Sequence, residues 1–419
     1  MSAGGLARSS SWSFGGQLAR AACNAGLFVV AARVLGVDGF GGFASCVALV
    51  ALAMPFANLG AISAMIRRNA HHPDDVAVDY SSALAVTVLG GVVVAGLLTA
   101  ANELFAPIGM PSSVVFLIAI GDLIGYSSSF LSGAVLQSRD SILGTAFFPA
   151  LVTMGRLAGV SLTWYLAGGV SIGEWAISYA AWSLAIALLI VVAVCSIVGF
   201  ARPRPVSFLR QWREGLMYSV GLSAQGVYND IDKVMLAGLA SLGSAGLYAA
   251  AYRLIDLAFV PMRAVLSVTY VRFFRAGAVG VERPVSLATS LLRPSLALSA
   301  LMSLLLFFGA DLFPLLLGAE YADVVWITRM LAVIPVLRTL HYLAADSLTG
   351  AGKQNVRTAW QIAVAATNVV ANLVLIPVWG VYGAIVSSIA ADLGLAVVLW
   401  WAALRLVRGA NRQRAVVGT

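Results

Sequence analysis

Long apolar runs separated by short polar stretches follow one another along the whole chain. A helix needs about 20 mostly apolar residues to cross a membrane, so this pattern predicts about twelve spanning helices. The runs lie near residues 12–35, 40–65, 80–101, 111–136, 143–167, 173–199, 214–239, 243–275, 285–309, 322–349, 355–379 and 381–407. We therefore predict an all-α integral membrane protein.

Basic residues lie in alternate segments between these runs. One set holds Arg8, Arg67, Arg68, Arg139, Arg202, Arg204, Arg210, Arg213, Arg272, Arg275, Arg283, Lys353, Arg357, Arg405, Arg408, Arg412 and Arg414. The opposite set holds instead Asp38, Glu103, Glu174, Asp311 and Glu320. Because cytoplasmic loops are enriched in Lys and Arg, we predict that both termini and the central linker are cytoplasmic.

The two halves of the sequence share weak similarity in one common order. Phe40-Gly41-Gly42-Phe43-Ala44 aligns with Ala245-Gly246-Leu247-Tyr248-Ala249, and the same shift aligns Asn24 with Asn229. Six helices in each half would give both halves the same orientation. This predicts two lobes (1–200 and 214–419) around a cytoplasmic linker (201–213), related by a pseudo-two-fold axis along the membrane normal, with a substrate site between them.

Composition supports a membrane protein and excludes several other classes. The chain is 60% hydrophobic and 11% charged, whereas roughly a quarter of a soluble protein's residues are charged. The net charge of +8 is spread over short loops, unlike the clustered patch of a nucleic-acid-binding domain. Cys23, Cys46 and Cys195 lie inside apolar runs without metal-ligand spacing. No phosphate-binding Gly-rich loop with Gly-Lys-Ser/Thr occurs, so we expect neither ATPase activity nor a cofactor.

Polar residues inside the apolar runs mark a predicted lumen, since intramembrane charges need a partner or a watery cavity. One face of the first helix carries Gln17, Arg20 and Asn24, and one face of the seventh carries Gln225, Asn229 and Asp232. We predict that the cavity contacts substrate through Gln17, Arg20, Asn24, Arg156, Gln225, Asn229, Arg253 and Arg338. An unpaired arginine fork suits a phosphate group. Candidates for ion coupling are Asp122, Asp232, Asp256 and Asp392.

Structural pairing is the alternative explanation for several of these charges. Asp232 and Arg253 fall at the same predicted depth, so the set Asp230, Asp232, Lys233, Arg253 and Asp256 could form interhelical ion pairs. Arg20 has no acid nearby in the first two helices, which favours a ligand role. Asp230 and Asp232 point to different helix faces, so we predict no metal site there, and we predict no catalytic residue.

Several short motifs resemble those of bacterial polysaccharide flippases. They are Val34-Leu35-Gly36-Val37-Asp38-Gly39-Phe40-Gly41, Asp232-Lys233 with Gly246-Leu247-Tyr248 and Ala251, and Leu348 to Lys353 followed by Asn372 to Pro377 and Gly380 to Ala384. That family belongs to the multidrug/oligosaccharidyl-lipid/polysaccharide exporter superfamily. The resemblance implies alternating access and a cargo of undecaprenyl-pyrophosphate-linked oligosaccharide, flipped to the periplasmic leaflet of the bacterial inner membrane for polysaccharide, O-antigen or exopolysaccharide synthesis.

Two other functions are weighed against the flippase. A drug/cation antiporter of the same superfamily usually has an acid in its first helix, where this chain has Arg20. A membrane polysaccharide polymerase or ligase usually needs a long basic periplasmic loop, and these predicted loops are short. The expected partners are the lipid-linked oligosaccharide, membrane lipids, and polymerase and glycosyltransferases of the same pathway, with no nucleic acid.

Overall fold

The computed structural model is helical throughout the residues that it describes. The described backbone covers residues 3–105, 108–139, 143–205, 212–278 and 280–417, and no strand occurs in these ranges. Some side chains within them lie outside the description, namely those of residues 3–14, 17–18, 70–71, 73, 143, 146, 212–214, 217–218, 221, 224–225 and 410–417. The all-α prediction is confirmed for the described chain.

Within the described residues, thirteen helical segments are numbered α1 to α13 in chain order. The first six are α1 (Ala3–Asn58), α2 (Ala61–His71), α3 (Val76–Phe105), α4 (Ser112–Gln137), α5 (Leu143–Ala167) and α6 (Ile172–Val198). The others are α7 (Trp212–Leu239), α8 (Leu242–Ala258), α9 (Val260–Gly277), α10 (Glu282–Leu317), α11 (Val324–Gly350), α12 (Gln354–Trp379) and α13 (Val381–Val417). Short 3-10 turns occur at Pro73–Asp75 and Ala319–Tyr321.

Helix α1 is broken at Gly36. At about 1.5 Å per residue its 56 residues would far exceed the roughly 30 Å of a bilayer core. Gly36 has φ 67° and ψ −176°, a left-handed conformation that a residue with a Cβ adopts only at a cost. The break lies between the predicted runs 12–35 and 40–65.

The helices are long and apolar enough for a multi-pass membrane protein. Within the described residues eight segments meet that requirement, or nine when α8 and α9, which bend by 50°, form one span. Many large apolar side chains are exposed, among them Leu97, Leu189 and Val397 at 59–65%. Such a surface is stable against lipid tails and not against water. The total of about twelve spans stays a prediction.

The chain divides into two compact units, Met1–Gly226 and Val227–Thr419. Met65, Tyr80 and Leu131 belong to the core of the first unit, and Leu348 and Leu399 to that of the second.

The division falls within α7 because the N-terminal half of that helix is bonded to α1. The hydroxyls of Ser219 and Ser223 donate to the carbonyls of Pro55 and Leu52, each at 2.7 Å. The predicted lobe boundary at 201–213 stays a prediction.

Candidate functional site

A buried ion pair lies within the first unit. Nη2 of Arg156 (α5) is 2.6 Å from Oδ1 of Asp122 (α4), and both side chains are less than a tenth exposed. Nη2 also donates to the carbonyl of Gly121 at 3.0 Å, and Nε donates to the Ser183 hydroxyl at 2.6 Å. Two buried charges are stable only when they are paired and fully hydrogen-bonded, which this arrangement provides.

Tyr179 of α6 binds both members of the pair. Its hydroxyl accepts from Nη1 of Arg156 at 2.7 Å and donates to Oδ1 of Asp122 at 2.9 Å. The guanidinium also lies 4.2 Å from the centroid of the Tyr179 ring, within cation–π range. One tyrosine therefore fixes the orientation of both charged groups.

The middle turn of α4 has π-helical geometry, from Gly121 to Tyr126. Its two glycines let α6 approach closely, because a Cβ on Gly125 would stand 3.0 Å from the backbone of Ser183. π-helical turns are rare and often occur at functional sites. Here the turn carries Asp122, which binds Arg156, and Tyr126, which binds Arg20.

Arg20 of α1 is half-buried, and its one hydrogen bond among the described residues goes from Nη1 to the Tyr126 hydroxyl at 3.2 Å. The ring of Tyr126 lies 5.7 Å from the Arg156 guanidinium. We call Arg20, Asp122, Tyr126, Arg156, Tyr179 and Ser183 the N-terminal cluster. Since Asp122 is paired with Arg156, this cluster carries one surplus positive charge, on Arg20.

In the second unit, one carboxylate binds two arginines. Oδ1 of Asp256 (α8) is 2.8 Å from Nη1 of Arg338 (α11) and 2.8 Å from Nη2 of Arg263 (α9). The Arg338 side chain is 10% exposed and that of Arg263 is 54% exposed. Arg338 is therefore the buried partner, and Arg263 the one that other groups can reach.

Asp232 of α7 is buried and is held by neutral donors. The hydroxyls of Tyr248 (α8) and Ser388 (α13) donate to its Oδ2, and the backbone N–H of Lys233 donates to Oδ1 at 2.9 Å. The Lys233 ammonium instead pairs with Asp230. The carboxylates of Asp230 and Asp232 thus bind different partners, as expected for alternate residues of a helix.

Asp392 of α13 lies beside a buried histidine. Its Oδ1 accepts from the Tyr228 hydroxyl and is 3.2 Å from Nε2 of His341 (α11). We call Tyr228, Asp232, Lys233, Tyr248, Asp256, Arg338, His341 and Asp392 the C-terminal cluster.

The predicted cavity residues differ in their surroundings. Arg156 and Arg338 are paired with carboxylates, so neither is an unpaired arginine of the kind that suits a phosphate group. Asn24 and Arg253 are exposed, and Arg253 forms no ion pair with a described side chain. Asn229 is half-buried on α7. The side chains of Gln17 and Gln225 lie outside the described residues.

The pairing alternative describes part of the second unit. Asp230 pairs with Lys233, whereas Asp232 is not paired with Arg253 as their depths had suggested. Asp256 pairs with arginines of α9 and α11. Among the described residues no group of three or more His, Cys, Asp and Glu side chains could hold a metal ion.

Sequence reasoning missed the tyrosines that organise both clusters. Tyr179, Tyr228 and Tyr248 each bind a buried carboxylate. It also missed Asp79, which is 1% exposed and 2.9 Å from Nε of Arg68. A tyrosine within an apolar run resembles an ordinary core residue, and only the apolar face around it signals that its hydroxyl needs a partner.

Comparison with known proteins identifies the family of the chain and solved structures with a similar fold. Residues 6–273 match the family described as "Polysaccharide biosynthesis protein". A sequence comparison with characterised proteins finds no match. The fold is similar to that of a multidrug resistance MATE family transporter of the MOP superfamily in its inward-facing conformation, with a TM-score of 0.75 and 15% identity over 94% of this chain and 96% of that one.

Two further solved structures show the same likeness. The lipid II flippase MurJ in its inward closed conformation has a TM-score of 0.69 and 14% identity, over 94% of this chain and 87% of that one. A multidrug resistance MATE family transporter in its outward-facing conformation has a TM-score of 0.58 and 15% identity, over 97% of this chain and 96% of that one. At such identities the similarity establishes the fold alone.

Proposed function

Since this chain belongs to the family of polysaccharide biosynthesis proteins, we propose that it is a flippase. Its cargo is an oligosaccharide linked to undecaprenyl pyrophosphate, moved from the cytoplasmic to the periplasmic leaflet of a bacterial inner membrane by alternating access. The family match and the likeness to a lipid II flippase support transport of a lipid-linked glycan. Both termini are cytoplasmic in this proposal, as the loop charges predict.

The observation that best supports the proposal is that Arg20 lacks an acidic partner among the described residues. In both clusters the more buried arginines are neutralised by carboxylates, whereas Arg20 is held by one tyrosine hydroxyl and faces no acid among the described residues. An arginine that never deprotonates and retains free N–H groups suits a pyrophosphate. Arg20 therefore contacts the pyrophosphate, while Arg156 orients the Tyr126 that positions it.

Two groups of helices with one repeated architecture would fit alternating access. In the predicted alignment Phe43 corresponds to Tyr248. Phe43 packs edge-to-face against Trp175 and Tyr179 of α6, and Tyr248 binds Ser388 of α13. Phe43 thus contacts α6 and Tyr248 contacts α13, the last span predicted for each half of the chain, which supports two similar lobes of six spans each and about twelve in total.

For ion coupling, Asp232 and Asp392 are the stronger of the four candidates. Asp122 and Asp256 are each within 2.8 Å of an arginine nitrogen, so each already has a cationic partner. Asp232 and Asp392 have tyrosine, serine and histidine neighbours instead. An arginine ion pair would have to break before a coupling ion could bind, and neither Asp232 nor Asp392 forms one with a described arginine.

The test is a flip assay in proteoliposomes with lipid-linked oligosaccharide from the source cell. Arg20→Gln should lower the rate by about tenfold or more, since a charge-assisted hydrogen bond contributes ~1.5–3 kcal/mol. Tyr126→Phe removes the hydrogen bond but leaves the charge, and should lower the rate less. Arg283→Gln removes an exposed arginine of a predicted cytoplasmic loop and should transport like wild type.

Two results would change the proposed function or the residues assigned to its site. Efflux of cationic dyes without movement of any lipid-linked glycan would show that the protein is a drug/cation antiporter. If Arg20→Gln transports the glycan at the wild-type rate, the protein is still a flippase, but Arg20 is not part of its binding site.

A further inference from the structure

A cleft of about 520 Å³ opens on the second unit where α12 begins and α13 approaches its end. Its walls include Lys353, Val356, Trp360, Trp401 and Arg405, and none of the described lining residues is acidic. The volume lies within the range of small-molecule sites, roughly 300–1,000 Å³. The cleft thus combines two positive charges with aromatic walls.

The cations of the cleft are available to a ligand. Arg405 stacks on Trp401, with its guanidinium carbon 5.0 Å from the ring centroid, and the Trp360 and Trp401 rings meet edge-to-face at 6.1 Å. Neither Lys353 nor Arg405 forms an ion pair with a described side chain. Stacking fixes the guanidinium plane and leaves its N–H edge free for oxygen acceptors.

The cleft is continuous with a surface suited to lipid. Val397, Trp401 and Leu404 follow one another along the outer face of α13 and are 59%, 51% and 42% exposed. Tryptophan is enriched at membrane interfaces, where an apolar ring meets polar headgroups. A molecule in this cleft would place its charged group at Lys353 and Arg405, with its apolar part along α13.

We propose that this cleft binds the phosphate headgroup of an anionic phospholipid from the leaflet that faces the basic loops. Two cations account for a headgroup that carries a net negative charge, and the exposed apolar face of α13 accounts for an acyl chain. Lys353 and Arg405 belong to the segments that the positive-inside rule assigns to the cytoplasm. The proposal concerns a bound lipid and does not require that the protein flips a glycan.

The experiment is native mass spectrometry of the full-length protein released from detergent, titrated with phosphatidylglycerol or with phosphatidylcholine of the same chains. Wild type should retain phosphatidylglycerol and discriminate against phosphatidylcholine. Lys353→Gln/Arg405→Gln should weaken phosphatidylglycerol binding about tenfold or more, because each cation contributes roughly a factor of five to the affinity. The matched control, Arg408→Gln/Arg272→Gln, removes two exposed arginines outside the cleft and should change binding less than about twofold.

A second variant distinguishes binding of the lipid inside the cleft from its nonspecific attraction to surface cations. Val356→Trp keeps both cations and fills part of the cleft, so it should also weaken phosphatidylglycerol binding. Equal losses in the cleft and control doubles, or no loss in either, would overturn the site. Retention of polyprenyl phosphate in place of phosphatidylglycerol would overturn the phospholipid assignment.

Discussion

The pair between Asp122 and Arg156 offers a direct test of how the first unit is stabilised. Asp122→Asn keeps the shape of the side chain and removes its charge, which leaves a guanidinium that is 6% exposed without a counter-charge. Removing one partner of a buried pair costs about 3–5 kcal/mol, and at this burial solvent screens little of that effect. Arg156→Met should be destabilising to a similar extent, because it leaves the carboxylate unpaired.

The coupling energy between the two substitutions is a more specific test of the pair than the stability lost in either single variant. The double variant Asp122→Asn/Arg156→Met leaves no buried charge, so it should cost less than the sum of the single changes by about 1–3 kcal/mol. Tyr179→Phe removes one hydroxyl that binds both groups. It should cost about 1 kcal/mol, since hydrogen bonds between membrane helices average roughly 0.6 kcal/mol each.

The assay is reversible unfolding of the purified protein in mixed micelles, followed by tryptophan fluorescence, with all variants measured in one detergent. Additive costs in the double variant would show that the two residues are not coupled. Single variants with wild-type stability would refute a buried pair at this position. A control at the exposed Arg408, changed to Gln, reports the effect of charge loss alone and should stay within about 0.5 kcal/mol of wild type.

Two further predictions concern packing and unequal pairs. Arg338 and Arg263 are each 2.8 Å from Asp256, but only Arg338 is buried. Arg338→Gln should therefore lower the free energy of unfolding by about 3 kcal/mol or more, and Arg263→Gln by less than about 1 kcal/mol. Equal losses in the two variants would contradict this prediction. Gly133→Leu should prevent folding, since a Cβ there would stand 2.7 Å from a neighbouring backbone, whereas Gly96→Leu, with nothing within 4 Å, should elute from size exclusion like wild type.

Sequence predicted the helices well where the signal is local. The runs 80–101, 173–199 and 355–379 fall within or nearly coincide with Val76–Phe105, Ile172–Val198 and Gln354–Trp379, because length and apolarity decide a span. The run 243–275 is instead bent by 50° next to Phe259, with Pro261 in the first turn that follows. A proline signals such a bend but does not set its angle.

The partners of the intramembrane charges could not be obtained in the same way. The sequence shows that Asp122 is a charge inside an apolar run, but not that it faces Arg156 and a tyrosine 57 positions away. Which helix faces which is a property of the packed unit. For that reason the sequence identified Arg20, Arg156 and Arg338 as one class, and the structure separates them.

That separation bears on mechanism. A carrier must hold its own charges in place while it presents one charge to a cargo and withdraws it again. Arg156 and Arg338 are fixed by carboxylates and aromatic rings, so moving either would expose an unpaired acid in a low-dielectric interior. Arg20 has a single hydroxyl partner, and replacing that bond with a phosphate oxygen leaves no buried charge behind. In the proposed flippase, Arg20 is therefore the arginine of these three that would exchange its partner for a ligand at the lowest cost, and binding and release of an anionic headgroup require such an exchange.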